Sequence, residues 1–167
     1  YPPVYLLAAS GLATLLAALT PAGFNPELLA GRLITLAATI GCVAALWRLI
    51  LQPIRRTSWM AYTSATLVAL LFTALPVVRE WAALMRVDLL GVCLGLWGLI
   101  LARRESRWAG LLLGLSLLVK PSLVAAPAAA LFWLWFRNRR RALDVALVMA
   151  LIGGATVGGL QLTSGGW

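Results

Sequence analysis

The sequence predicts an all-α membrane protein, a polytopic transmembrane helix bundle, and three observations support this prediction. Of its 167 residues, 62% are hydrophobic and only 11% are charged, a balance typical of chains whose surface faces lipid. The apolar residues form long runs, and short arginine clusters separate these runs. Within the apolar stretch 108–136, the pair Lys120-Pro121 combines a charge with a helix breaker, which predicts a short broken-helix hairpin inside the membrane.

The first segment, residues 1–20, is apolar after its opening Tyr-Pro-Pro, and the turn-rich residues 21–27 follow it. The charge pattern places the start of the next span outside. The first segment therefore either spans from the inside or lies with both ends outside, as an interfacial or re-entrant helix. Periodicity does not decide between the two.

Further apolar runs predict spans over residues 28–51, 60–78, 82–102 and 142–160, giving a bundle of five or six spans when the hairpin is included. Pro53 ends the first of these on the inside, and residues 79–81 (Arg-Glu-Trp) form an outer corner. Four glycines in the last span have the spacing of close helix packing.

The distribution of basic residues gives the orientation. Under this topology ten of the 14 lysines and arginines lie inside, as the positive-inside tendency requires. These are Arg48, Arg55, Arg56, Arg103, Arg104, Arg107, Arg137, Arg139, Arg140 and Arg141. The other four lie on the outer half, where the tendency discourages them, and a specific role is expected there. They are Arg32, Arg79, Arg86 and Lys120.

Lys120 is predicted to lie at the top of the hairpin. Arginine clusters before residue 108 and after residue 136 belong on the same inner side, so the hairpin enters and leaves there. Its first limb, residues 108–120, rises only about 20 Å at about 1.5 Å per residue, into a hydrocarbon layer about 30 Å thick. Broken backbone at that depth must be covered by protein or line a wet cavity.

Asp88 is predicted to reach the depth of Lys120, because it stands about 22 Å above Arg103 on the preceding helix. Arg86 lies about 3 Å higher, on a different face of that helix. One interpretation is a cationic phosphate pocket, with Asp88 orienting an Arg or Lys or binding a sugar hydroxyl or amine. The other is an ion pair of Asp88 with Lys120 or Arg86 that only neutralises charge inside the bundle.

Composition argues against several other kinds of site. The net charge of +9 comes from arginines between apolar spans, which indicates topology and anionic lipid rather than nucleic acid. Histidine is absent, and Cys42 and Cys93 lie in apolar spans without metal-ligand spacing. The chain itself therefore offers no evident cofactor or metal site, and we find no P-loop, dinucleotide fingerprint or nucleophile beside a base.

Five short motifs in order give the chain a resemblance to a known family. They are Tyr-Pro-Pro-Val-Tyr at 1–5, Gly-Arg-Leu-Ile at 31–34, Met-Arg-Val-Asp-Leu-Leu at 85–90, Gly-Leu-Ser-Leu-Leu-Val-Lys-Pro at 114–121 and Thr-Ser-Gly-Gly-Trp at 163–167. In this order the chain resembles the multi-spanning C-type (GT-C) glycosyltransferases, which include the aminoarabinose and protein O-mannosyl transferases. The likeness covers nearly the whole chain.

The resemblance implies transfer of a sugar from a polyprenyl-phosphate carrier to an acceptor on the outer face of the membrane. It places Tyr1, Pro2 and Pro3 in the first outer loop as substrate-binding residues, which favours the interfacial form of the first helix. It also implies a bacterial inner-membrane protein whose partners are membrane lipid and the polyprenyl-phosphate-linked sugar, with other membrane subunits as further candidates.

For the site, the resemblance implies a catalytic role for Asp88, which with Arg86 matches an Arg-x-Asp motif at the active-site rim. Lys120 matches a lysine expected near the carrier phosphate, although Val119 and Pro121 replace the usual Thr and Gly or Gln. Arg86, Lys120 and Arg32, the last within the second motif, are expected to bind substrate. The mechanism implied is inverting.

The resemblance further implies that the chain is an N-proximal part of a longer protein. The catalytic base, an Asp or Glu, would precede residue 1, and a divalent metal would belong to the complete protein if one is used. Two other classes stay open: a non-catalytic subunit or scaffold of a larger membrane complex, and a transporter, since broken helices with midplane charge also mark transport sites. A transporter predicts a second set of broken helices, which the sequence does not show.

Overall fold

The computed structural model describes residues 3–19, 21, 25–52, 59–84 and 87–164. Within these ranges the chain is helical and contains no β-strand, which confirms the predicted all-α class. The helices are α1 (Pro3–Ala17), α2 (Pro26–Leu51), α3 (Trp59–Ala74), α4 (Pro76–Ala83), α5 (Asp88–Arg103), α6 (Trp108–Val119), α7 (Ala125–Arg137) and α8 (Arg139–Ser164).

The two central helices are α5 and α6, which pack against each other. Helix α5 also contacts α2, α4 and α7, while α6 also contacts α1, α7 and α8. Helix α1 therefore lies against α2 and α6, on the side of the bundle away from α7. This arrangement surrounds the predicted hairpin, α6 and α7, with protein on several sides.

The helices differ in how far they can reach across a membrane. Among the described residues, α2 and the part of α8 from Arg139 to Gly159 are long and apolar enough to cross, and the bent pair α3 and α4 would make a third span. Helices α5, α6 and α7 have only 16, 12 and 13 residues. At about 1.5 Å per residue they fall short of a hydrocarbon layer about 30 Å thick, so fewer helices span fully than the sequence predicted.

The predicted span over residues 60–78 and the corner at 79–81 are wrong in detail. Helix α3 ends at Ala74, and α4 begins at Pro76 after a bend of 65°. Proline has no N–H to continue α3, and it favours an extended residue before it, as Leu75 is with φ −58° and ψ 127°. Arg79 and Glu80 are consequently part of a helix, and the next helix starts only at Asp88.

Glycines on the central helices allow close packing. A Cβ added to Gly98 of α5 would lie 2.7 Å from Leu113 of α6, and one on Gly110 of α6 would lie 2.6 Å from the backbone oxygen of Val145 in α8. These pairs bring helix backbones together as small residues do in membrane bundles. The glycines predicted to pack, at 153, 154, 158 and 159 in α8, instead have nothing within 4 Å of an added Cβ among the described residues.

The two arginine-rich loops meet at one end of the bundle, as the charge pattern predicted. Glu105, in the loop between α5 and α6, accepts hydrogen bonds from Asn138 Nδ2 at 3.0 Å and from Arg137 Nε at 3.4 Å. Glu105 has a left-handed backbone, with φ 52°, which is costly for a non-glycine residue and is held here by these contacts. We call this end the inner end and the opposite one the outer end.

Candidate functional site

The hairpin breaks at Lys120 because of the proline that follows it. A residue before proline avoids the helical region, and Lys120 is extended, with φ −150° and ψ 104°. Its N–H still donates to Ser116 O at 3.0 Å, and its carbonyl accepts from the N–H of Leu123 at 3.0 Å in the turn that leads to α7. The N–H and the carbonyl of Lys120 thus both keep hydrogen-bond partners at the break, while its side chain extends from the end of α6.

Asp88 is the first residue of α5, where the partial positive charge of a helix N-terminus favours a carboxylate. It is 5% exposed and therefore one of the few buried charged residues in the described part of the chain. Beneath it lies the outer-end core of Ala38, Val78 and Leu89. A carboxylate in such a place requires a counter-charge.

Lys120 provides that counter-charge. Its Nζ forms an ion pair with Asp88 Oδ1, which has no other hydrogen-bond partner among the described residues. The two ends of the pair differ in exposure, since the Asp88 side chain is 7% exposed and the Lys120 side chain is 36% exposed. An anion that approaches the outer end would therefore meet the ammonium before the carboxylate.

Trp81 covers the ion pair from α4. The Lys120 Nζ lies 5.6 Å from the centroid of the indole ring, within the range of a cation–π contact. Trp81 and the buried Val78 are three residues apart and share the side of α4 that faces the bundle, while Arg79 and Glu80 are exposed. The bend at Pro76 thus places the amphipathic helix α4 against the ion pair at the outer end.

A buried hydrogen bond brings Asp88 and Lys120 together. Ser116 Oγ, on α6, donates to the carbonyl oxygen of Gly91, one turn after Asp88 on α5, at 2.8 Å. Ser116 is fully buried, and a Cβ on Gly91 would lie 3.4 Å from Val119 Cγ1 at the end of α6, so the two helices are in close contact here. This contact places residue 88 and residue 120 at the same depth, as the helix lengths predicted.

A small apolar groove lies beside the ion pair, between α5, α6 and α7. It has a volume of about 180 Å³. Its lining consists of Gly91, Val92, Gly95, Leu96, Ser116, Ser122, Leu123, Ala125 and Ala126. Asp88 and Lys120 are not among these residues, so the groove adjoins the charged pair without enclosing it.

Of the other predicted site residues, only Arg32 has a described side chain. Arg32 is exposed on α2, and among the described residues it forms no ion pair with Asp88 or with Glu27. Arg86, Tyr1 and Pro2 lie outside the described residues. Pro3 opens α1, but its side chain is not described. Of the three predicted site residues whose side chains are described, the structure therefore brings together two, Asp88 and Lys120.

Two residues important to the site were missed at the sequence level. Trp81 was interpreted as part of the outer corner at residues 79–81, and Ser116 only as part of a motif. A signal for Trp81 was available, because Pro76 could have been interpreted as the first residue of a short helix. Nothing in the sequence indicated that the Ser116 hydroxyl bonds across to α5 rather than within its own helix.

The described residues hold no group of three or more His, Cys, Asp and Glu side chains that could bind a metal ion. What they do provide is one lysine ammonium, on a side chain that is 36% exposed, paired with a buried carboxylate.

The fold and the site define an integral membrane protein with a buried carboxylate–ammonium pair at a broken helix. The sequence matches glycosyltransferase family 87 over residues 1–165, and the chain belongs to that family. No curated protein and no solved structure matches it. The predicted resemblance to glycosyltransferases is thereby confirmed, while the finer relation to the C-type enzymes stays a prediction.

Proposed function

We propose that this chain is the membrane core of a glycosyltransferase that takes a sugar from a polyprenyl-phosphate carrier and passes it to an acceptor at the outer face of a bacterial inner membrane. The observation that carries the proposal is the Asp88–Lys120 pair at the outer end, in which the lysine is the more exposed partner. Membership in glycosyltransferase family 87 supports the transferase class.

In the proposed reaction the acceptor oxygen attacks the anomeric carbon as the bond from that carbon to the phosphate oxygen breaks. The electron pair of the broken bond goes to the phosphate, whose negative charge rises in the transition state. Lys120 is the group we assign to that charge, because a positioned ammonium stabilises a developing anion most where water is scarce. Arg86 would add a second cation from the residues just before α5.

Asp88 has two roles in this proposal. Before the carrier binds, it holds the Lys120 ammonium at the end of α6 and prevents a buried uncompensated charge. Once phosphate takes over the ammonium, the carboxylate is available to a hydroxyl or amine of the sugar. The acceptor proton goes to a carboxylate that acts as general base. Because the acceptor displaces the phosphate in a single step, the configuration of the anomeric carbon is inverted.

The test uses the complete protein in native membranes and measures the free polyprenyl phosphate produced, because this product forms whichever sugar is transferred. Lys120→Met removes the ammonium at nearly constant volume, and product formation should fall on the order of a hundredfold. Arg107→Met makes the same chemical change at the exposed inner end and should leave the rate unchanged.

The double variant Asp88→Asn with Lys120→Met separates catalysis from folding. It removes both charges, so the protein should regain most of the stability lost in Lys120→Met, yet activity should stay low. Activity that returns with stability would show that the pair is structural and would refute the proposed role of Lys120.

A scaffold function is the second candidate, and one observation favours it. A Cβ added to Gly153, Gly154 or Gly158 of α8 would meet nothing within 4 Å among the described residues, so another helix could pack closely there. Native mass spectrometry of the gently solubilised complete protein discriminates the two functions. A stoichiometric protein partner with no carrier lipid would favour the scaffold, and bound polyprenyl phosphate would favour the enzyme.

A further inference from the structure

The arginines of the inner end differ in whether an acidic side chain balances them. Arg137 pairs with Glu105 and Arg141 pairs with Asp144. Arg103 and Arg104, at the end of α5, are exposed and have no acidic partner among the described residues. Two adjacent cations without a counter-charge favour an external anion. Arg139 and Arg140 form a second such pair at the described inner end, but they do not line the apolar groove between α2, α5 and α7.

Arg103 is fixed in place by a contact with α2. Its Nη1 donates to the carbonyl oxygen of Leu49 at 3.3 Å, in the last turn of that helix. A guanidinium has five N–H donors in a planar fork, so this bond orients the group and leaves further donors for a phosphate. With Arg104 and Gln52 it lines a polar pocket of about 270 Å³.

An apolar groove adjoins this pocket. It also has a volume of about 270 Å³ and lies between α2, α5 and α7, with Leu49, Leu99, Ala129, Ala130 and Trp133 in its walls. Arg103 lines both the groove and the polar pocket, so the two cavities meet at this side chain. The basic pocket is complementary to the anionic headgroup of a membrane lipid, and the apolar groove beside it is complementary to a hydrocarbon tail.

We propose that this composite site, which we call the inner lipid site, binds an anionic diacyl phospholipid of the inner leaflet. The lipid phosphate would accept from Arg103 and Arg104, and one acyl chain would lie in the groove against Ala129 and Ala130. Trp133 is 39% exposed at the groove wall, where an amphipathic indole suits the level of the lipid glycerol. The proposal does not depend on the transferase activity, because Lys120 lies at the opposite end.

The chemistry favours a phospholipid over an acidic protein segment. The walls of the groove are mostly apolar, with Leu49, Leu99 and Trp133 among them, and a soluble acidic peptide would leave these side chains uncovered. Juxtamembrane basic residues are also attracted by the anionic lipids of the cytoplasmic leaflet. The bound lipid would join α2, α5 and α7 at a place where their own contact leaves a channel.

The experiment reconstitutes the chain in nanodiscs and measures retained lipid by native mass spectrometry after gentle release, with phosphatidylglycerol and phosphatidylcholine of identical acyl chains as probes. Arg103→Gln with Arg104→Gln should lower phosphatidylglycerol binding on the order of tenfold, because the lipid phosphate loses both of its proposed charged donors. The matched control, Arg139→Gln with Arg140→Gln, removes the same charge from the same end but does not touch the groove, and binding should change by less than about twofold.

A second pair of variants tests the groove without changing charge. Ala129→Trp should obstruct the groove and weaken phosphatidylglycerol binding, whereas Ala128→Trp, on the neighbouring exposed position outside the lining, should not. If the double variant is poorly folded, Arg104→Gln alone, at an exposed side chain, should still weaken binding about threefold.

Three results would overturn the inner lipid site. Equal loss in both charge variants would mean diffuse attraction to the basic surface. Equal retention of phosphatidylcholine would remove the role of the headgroup charge. Selective retention of polyprenyl phosphate, added as a competing arm, would assign the site to the carrier rather than to a phospholipid.

Discussion

The inner and outer ends of the bundle handle charge in opposite ways. At the inner end, arginines are numerous and exposed, and the ion pair of Glu105 with Arg137 lies at the surface. At the outer end a single carboxylate, Asp88, is buried and paired with Lys120 under an indole ring. The inner charges follow the pattern of the positive-inside tendency, whereas the outer pair is costly to bury, which is why we propose a specific task for it.

The two ends also differ in the size of their hydrophobic cores. The inner core includes Leu113, Leu134 and Val145 and joins α6, α7 and α8. Here Gly110 of α6 packs against a backbone atom, the carbonyl oxygen of Val145 in α8. The outer core is smaller, with Ala38, Val78 and Leu89 as its buried members. The proposed site is thus located at the end with the smaller described core.

The largest effect on stability is expected from breaking the outer pair on its exposed side. Lys120→Met leaves the carboxylate of Asp88 buried without a counter-charge and should reduce the free energy of unfolding by about 3–5 kcal/mol. Asp88→Asn leaves an ammonium that is one-third exposed and can reach water, so the loss should be only about 1–2 kcal/mol. Unfolding in mixed detergent micelles, followed by tryptophan fluorescence, measures both. Equal losses would contradict the asymmetry in burial.

A smaller effect on the free energy of unfolding is expected from glycine substitutions, and its size should differ between the two ends. Gly110→Ala forces a Cβ against the backbone oxygen of Val145 and should reduce the free energy of unfolding by about 1–3 kcal/mol, because α8 must shift. Gly91→Ala meets the flexible end of Leu123, which can move, and should reduce it by less than about 1 kcal/mol. Gly153→Ala, with open space around it, is the control. A greater loss for Gly91→Ala would reverse the comparison.

The smallest effect is expected at the inner ion pair. Glu105→Gln keeps an acceptor for Asn138 but loses the charge opposite Arg137, and the free energy of unfolding should fall by less than about 1 kcal/mol. Because the pair is exposed, this difference should vanish in about 1 M salt. A loss comparable to that of Lys120→Met would mean that the two ends treat charge alike.

Much of the fold could be predicted from the sequence because membrane constraints act locally. The bounds of α2 and α6, and the break after residue 119, follow from apolar runs, arginine clusters and the Lys-Pro pair. The error at α3 and α4 arose because an apolar run was interpreted as a continuous span although Pro76 interrupts it. Within the site, the equal depth of Asp88 and Lys120 was predictable from helix rise alone.

The sequence by itself determined the class, the orientation of the basic loops and the position of the broken hairpin, since these depend on composition and on residues adjacent in the chain. The tertiary structure decided which charges meet. It paired Asp88 with Lys120, left Arg32 exposed, bonded Ser116 to Gly91 and moved Trp81 over the lysine. The physical reason is that helix periodicity fixes depth along each axis, whereas the rotation and neighbours of a helix follow from side-chain packing across the whole bundle.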